Sequence, residues 1–258
     1  MRRAVNKTLL AMVSVAAVAG ATAPAAASSA PPTIVLVHGA FADTTSWDGV
    51  ATRLRADGYR VVTPDNPLRG PVGDAAAVER TLSSIDGPIV LVGHSYGGAV
   101  ITNVDDPDVQ AVVYIAAFAP REGEPIAIAL DPIRFPGSRL QPPALALKPV
   151  DTGLDGYVEP AYFHEVFAQD VDAATTATMI AHQRSIAATT NIEPSGPASW
   201  STTPSWYLVS AEDRVIPPAA QRFMAERMGA HTSEVTASHA VLVSQPAAVA
   251  AIIEQAAR

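Results

Sequence analysis

Residues 88–98 read Pro-Ile-Val-Leu-Val-Gly-His-Ser-Tyr-Gly-Gly, and few local patterns restrict a chain more. An apolar, β-branched run enters a Gly-x-Ser-x-Gly pentad and leaves it through small residues. That order predicts a buried strand, a sharp turn and a helix, with Ser95 at the tip of the turn. Glycines two residues to either side of the serine remove side chains that would collide there. The helix starting behind Ser95 turns its positive dipole end toward any negative charge that develops at the serine. Alone, the pentad also fits an ordinary glycine-rich turn between a strand and a helix. Its surroundings decide between the two.

Those surroundings alternate. Residues 33–37 read as a buried strand ending at His38-Gly39-Ala40-Phe41. Residues 46–56 have helical spacing, with Trp47, Val50 and Leu54 on one face and Ser46 placed to cap it. A short strand at 60–63, a helix at 72–84, the strand at 88–92, a helix from 95 to about 104 and a strand at 109–117 follow. Strands and helices in this rhythm predict a mostly parallel, doubly wound α/β sheet. The rhythm breaks at residue 118. Residues 118–203 are rich in Pro and lack a regular strand pattern, with helical spacing only at 160–168 and 171–188. A helical cap inserted at about 118–203 is the expectation. Alternation resumes with a strand at 205–210, a helix at 217–228, a strand near 234–236 and a closing helix at 246–257.

Composition narrows the function. The formal charge is −8 and no Lys/Arg stripe exists, which argues against a nucleic-acid partner. There are no cysteines, which removes thiol catalysis and cysteine-held metals. Arg2, Arg3 and Lys7 precede an apolar stretch and then an Ala-rich run up to residue 30, the pattern of a secretory signal peptide. Its apolar core is about half of the ~20 residues that a membrane span needs. Residues 1–27 are therefore expected to be cleaved, with Ala30 as the alternative last residue. The Arg2–Arg3 pair leaves general and twin-arginine export both open. The product is a secreted protein whose domain covers 32–258, without stable membrane insertion. Nothing in the sequence sets its oligomeric state.

Four stretches carry a family resemblance: Val35-Leu-Val-His-Gly-Ala-Phe-Ala-Asp43 with Trp47, Leu91-Val-Gly-His-Ser-Tyr-Gly-Gly98, Ala211-Glu-Asp-Arg-Val-Ile-Pro217, and Ser238-His239 with Leu242-Val-Ser-Gln-Pro246. With them the chain resembles the α/β-hydrolases. Within that group it is similar to bacterial serine esterases related to plant methylesterases and hydroxynitrile lyases. The lyases carry Thr directly after the first-strand His and Lys directly after the late His. Gly39 and Ala240 stand at those places here, so the positive charge that handles cyanide is missing.

The resemblance implies a nucleophile, an acid and a base in that chain order. Ser95 is the nucleophile. Asp213 follows the strand at 205–210 and supplies the acid, with Glu212 as the rival carboxylate and a helix cap as Asp213's plainer role. His239 follows the last strand and supplies the base. The other five histidines have ordinary structural readings; His38 orients the loop after the first strand. An oxyanion hole needs two backbone N–H groups, assigned to Tyr96 and Ala40, with Phe41 the alternative to Ala40. Phe41, Tyr157, Tyr162, Phe163 and Phe167 are candidate substrate contacts, with Met179 nearby, although each fits cap packing as well. The family implies no metal or organic cofactor and a small-molecule ester as partner. Serine carboxylester hydrolysis is the reading. Peracid formation, lactone or amide hydrolysis and a receptor-like binding role use the same residues.

Overall fold

The computed structural model describes Met1 and residues 31–258, so the expected signal peptide lies almost wholly outside the described residues. Strand β1 (Thr33–Val37) is buried along its whole length, as a strand covered on both faces must be. A 3-10 turn (Thr44–Trp47) leads into α1 (Asp48–Ala56). Asp43 caps that turn by accepting from the Thr45 N–H at 2.9 Å, and the Ser46 hydroxyl donates back to the Asp43 carbonyl at 2.7 Å. Ser46 is therefore not the cap. The 3-10 turn starts the helical path earlier than the apolar spacing reveals. Next come β2 (Val61–Val62), α2 (Pro71–Leu82), β3 (Ile89–His94), α3 (Tyr96–Thr102) and β4 (Val109–Ile115). An insertion then carries β5 (Leu145–Val150), β6 (Gly153–Val158), α4 (Pro160–Phe167), α5 (Ala173–Ala181) and β7 (Ile186–Ala187). The chain closes with β8 (Ser205–Ser210), α6 (Pro218–Met228), β9 (His231–Val235), α7 (Val241–Ser244) and α8 (Pro246–Ala256).

Six strands form one sheet in the order β2-β1-β3-β4-β8-β9, and every neighbouring pair is parallel. Side chains alternate between its faces. Ile34, Leu36, Val90 and Val92 pack with Trp47, Val50 and Leu54 of α1 and with Val249, Ile252 and Ile253 of α8. Val35, Val37 and Leu91 face the other way, onto Val78 and Leu82 of α2, Val100 of α3 and Met224 of α6. Strand order reverses beside β1: the chain first steps out to β2, then crosses to β3 on the other side. Such a switch point opens a crevice beyond the strands' C-terminal ends, and Ser95 follows β3 directly into it.

The insertion differs from its expectation. It contains a three-stranded antiparallel sheet, β5-β6-β7, beside its two helices. α5 spans Ala173–Ala181, the middle of the stretch that spacing assigns to helix, and the end of that stretch belongs to β7 and to the start of a 3-10 turn (Ala188–Asn191). β5 is an edge strand with four exposed residues in a row, so it shows no buried alternation. Pro149 sits within it, where an edge strand tolerates a missing N–H. Among the described residues, no helix is long and apolar enough to cross a membrane.

Candidate active site

Ser95 sits between β3 and α3 at φ 53° and ψ −123°, a strained conformation for any residue with a side chain. Close packing holds it. A Cβ on Gly93 would lie 2.5 Å from the Gly97 carbonyl oxygen, and one on Gly97 would lie 2.5 Å from that of Val37. Gly39 answers to the same crowding, since its Cβ would meet the Ser95 Cβ at 2.7 Å. The loops after β1 and β3 approach because Gly39 and Gly97 carry no side chains, and Gly93 leaves room for the turn at Ser95 itself.

Three side chains from distant parts of the chain meet here. Ser95 Oγ donates to His239 Nε2 at 2.8 Å, and His239 Nδ1–H donates to Asp213 Oδ2 at 2.7 Å. Asp213 and His239 are buried, while Ser95 lines a cavity. Asp213 Oδ1 accepts from the N–H groups of Val215 (2.7 Å) and Ile216 (3.0 Å). Those bonds aim the carboxylate at the imidazole. Glu212 is exposed and points elsewhere. Ala40, Phe41 and Tyr96 line the same cavity as Ser95. Among the described residues, the Ala40 and Tyr96 N–H groups have no hydrogen-bond acceptor.

Two further residues support the acid and the base: Gln221, which the sequence reading does not single out, and His94, which it gives an ordinary structural role. Gln221 on α6 is fully buried. Its Nε2 donates to Asp213 Oδ2 (2.8 Å) and to the Ile216 carbonyl (2.9 Å), and its Oε1 accepts from Ser210 N–H (3.0 Å). A Gln on the apolar face of a helix was the available signal. His94 Nε2–H donates to the His239 carbonyl at 2.9 Å, and the two rings stand 4.8 Å apart. Burial first, and then the neighbouring His239, push its pKa well below the usual histidine value, so the ring stays neutral. His38 is neutral for the same main reason. Its Nδ1–H donates to the Gly39 carbonyl (2.9 Å) and its Nε2 accepts from Asn66 N–H (3.1 Å), which orients the β1 loop.

The cavity at Ser95 measures about 80 Å³. Its walls are mostly aliphatic, chiefly Ile126, Leu130, Leu140, Leu145, Leu147 and Ile186 from the insertion, joined by the aromatic Phe118 and by Asn191 as a rare polar side chain. Of the five aromatic candidates only Phe41 lines it. Phe167 packs edge-on to the His239 ring at 4.8 Å, and Phe163 lies buried behind it at 4.9 Å. Tyr157 and Tyr162 are not in the cavity. Gly156 faces it, so the next residue of β6 turns to the opposite side, where the Lys148 ammonium sits 4.6 Å from the Tyr157 ring. Tyr162 is 37% exposed, because α4 buries Phe163, Val166 and Phe167. Met179 lines a separate groove beyond Phe41. Among the described residues, no cluster of His, Asp and Glu has the arrangement to hold a metal ion.

A sequence profile described as the alpha/beta hydrolase family matches residues 34–252. The chain belongs to the alpha/beta hydrolase family. A carbendazim-hydrolysing esterase of Nocardioides sp. (strain SG-4G) is 36% identical over 117 residues, a match covering 40% of this hydrolase and 48% of that protein. That alignment thus spans about half of the relative. A pyrethroid hydrolase of Sphingobium wenxiniae is 30% identical over 245 residues, covering 85% of each chain. The solved structure of a pyrethroid hydrolase from Sphingobium faniae JZ-2 superposes with a TM-score of 0.73 at 24% identity, over 87% of this hydrolase and 96% of that chain. At that identity the likeness speaks for the fold.

Proposed function

We propose that this hydrolase is a serine carboxylesterase acting on small or aromatic, uncharged esters through an acyl-enzyme. The observation that carries the reading is the unbroken line Ser95–His239–Asp213, at 2.8 and 2.7 Å, beside two unpaired backbone N–H groups. His239 takes the Ser95 proton as Oγ attacks the ester carbonyl, and Asp213 stabilises the imidazolium. The N–H groups of Ala40 and Tyr96 receive the oxyanion. His239 then protonates the leaving alcohol. Water, deprotonated by His239, attacks the acyl-enzyme and releases the acid. The aliphatic walls favour an uncharged acyl or alcohol group, since a charge there would lose its hydration without gaining a partner. A carbendazim-hydrolysing esterase and a pyrethroid hydrolase among the relatives fit ester hydrolysis.

Hydrolysis of p-nitrophenyl acetate, butyrate and octanoate by the protein and by Ser95→Ala tests this. Multiple turnover is expected from the first and none above background from the second. Turnover retained by Ser95→Ala, or a single burst with no turnover by the parent, overturns the reading.

A further inference from the structure

The insertion touches the triad as well as roofing the cavity. The residues immediately before and after Asp213 and His239 all bond to one stretch of it, the C-terminal end of α4 and the turn that follows. Gln169 Nε2 donates to the Glu212 carbonyl at 2.7 Å, and Arg214 Nη1 donates to the Glu165 carbonyl at 2.8 Å. Ser238 N–H donates to Asp170 Oδ2 at 3.0 Å, and Ala240 N–H donates to the Phe167 carbonyl at 3.1 Å. The Phe167 ring rests against His239 from the same side. Four bonds thus bracket the acid and the base, two for each, and all four end within residues 165–170.

This bracket differs from the supports inside the sheet domain. Val215, Ile216 and Gln221 fix the Asp213 carboxylate within its own loop. Ser210 Oγ, donating to the Ser238 carbonyl at 2.7 Å, ties the base loop to β8. Glu212 N–H also donates to the Ala237 carbonyl at 3.1 Å, a direct tie between the two loops, and Arg139 N–H of the insertion donates to the Arg214 carbonyl at 2.7 Å. Among the described residues, only the α4 end reaches both loops from the insertion. Each bond is modest alone, and Asp170 is exposed, so its bond competes with water. Their value is geometric, because proton transfer along Ser95–His239–Asp213 depends on tenths of an ångström.

We propose that residues 165–170 form a positioning clamp, with Gln169, Asp170 and Arg214 as its side chains, which sets the acid and base loops relative to each other. Seating the insertion and assembling the triad are then one event. Closure over an ester would align the proton path, and an unseated insertion would leave Ser95 poorly activated. This rests on the reading of Ser95 as the nucleophile.

The test uses the full domain and the variant Gln169→Ala/Asp170→Ala. Two rates are measured: phosphorylation of Ser95 by diisopropyl fluorophosphate, located by mass spectrometry, and turnover of p-nitrophenyl acetate. Acetate is too short to use the insertion's walls. The expected result is a parallel loss of about tenfold in phosphorylation rate and kcat, as for a small misplacement of reacting groups, with KM unchanged. Gln169→Ala/Asp170→Asn keeps an acceptor for Ser238 and recovers part of the loss. If the double variant does not fold, Arg214→Ala, which frees the Glu165 carbonyl, is read in the same way. Wild-type rates in a folded variant, or a raised KM with kcat intact, overturn the clamp and leave the insertion a roof only. A parent protein that is not phosphorylated at Ser95 overturns the nucleophile assignment, and the clamp with it.

Discussion

The central sheet and the insertion build opposite walls of one cavity by different means. In the sheet, β1 and β3 are buried at every position, and parallel ladders fix their register. Polar residues with chemical roles stand at the strands' C-terminal ends, where backbone geometry places them. In the insertion, β5 is largely exposed and five 3-10 or short helical pieces replace long periodic elements. Polar ties hold it instead. Arg69, before α2, forms a two-pronged bond to Asp155 of β6 at 2.7 and 3.0 Å and also reaches the Ser185 carbonyl at 3.1 Å. The sheet supplies the reacting groups, and the insertion supplies nearly all the aliphatic surface around them. Pocket shape can therefore change through residues that bear on neither sheet register nor proton transfer.

The sharpest way to break that division is at Asp213. Asp213→Asn presents an amide to His239 Nδ1 in place of an anion. The imidazole loses both its enforced tautomer and its counter-charge. A fall of about 10³ to 10⁴ in kcat/KM for p-nitrophenyl acetate is expected. Gln221, Val215 and Ile216 still surround the side chain, so the folded state should persist with an unchanged circular dichroism spectrum. A loss below tenfold would show that the base works without this acid, and the sheet would then not hold the full machinery.

A smaller effect is expected where the insertion is tied down. Asp155 is buried, whereas the Arg69 side chain is 42% exposed and regains water when its partner is lost. Asp155→Ala should therefore cost about 1.5 kcal/mol of stability, the low end for bonds to a charged group, as measured by urea unfolding. Leu145, Leu147, Gly156 and Ile186 of the small sheet line the cavity. KM for the octanoate ester should rise while kcat for acetate holds. An equal loss on acetate would mean that this tie, like the proposed clamp, reaches the triad.

How much could be read from the sequence follows the same division. Ser95 and Asp213 follow strands with clear apolar runs, whereas β9 before His239 is polar and largely exposed, so chain order and loop position single out that histidine. The three loops converge because parallel strands end on one side. Strand β8 and helix α8 were legible within a residue for the same reason. The insertion was not. Gly153, Gly156 and Pro149 interrupt the alternation of β5 and β6, and the exposed β5 has no buried face to mark it. Tyr157 and Tyr162 drew attention as aromatics, yet most of the wall is aliphatic and comes from segments with no periodic signal. Gln221 supports the acid through a buried contact eight residues away, and His94 supports the base through a contact made across the fold. A single sequence records their polarity and not their partners.

A pH dependence of stability belongs to the sheet's own strand ends. His94 ends β3 and His38 follows β1, and burial is the main cause that lowers the pKa of each. In the unfolded chain both titrate near the ordinary value of about 6.5. Below that pH the unfolded state binds more protons than the folded state, so unfolding free energy falls as pH falls. The loss begins near the unfolded value and continues until the lowered folded values are reached. Each histidine contributes a limiting slope of about 1.4 kcal/mol per pH unit. His94→Gln keeps a donor for the His239 carbonyl and removes one titrating group. Urea midpoints measured from pH 7 to pH 5 should then decline less steeply than in the parent, with the remaining slope owed partly to His38. An unchanged slope would mean that His94 takes up its proton in the folded state, and a charged ring beside His239 would then have to be accommodated at the base.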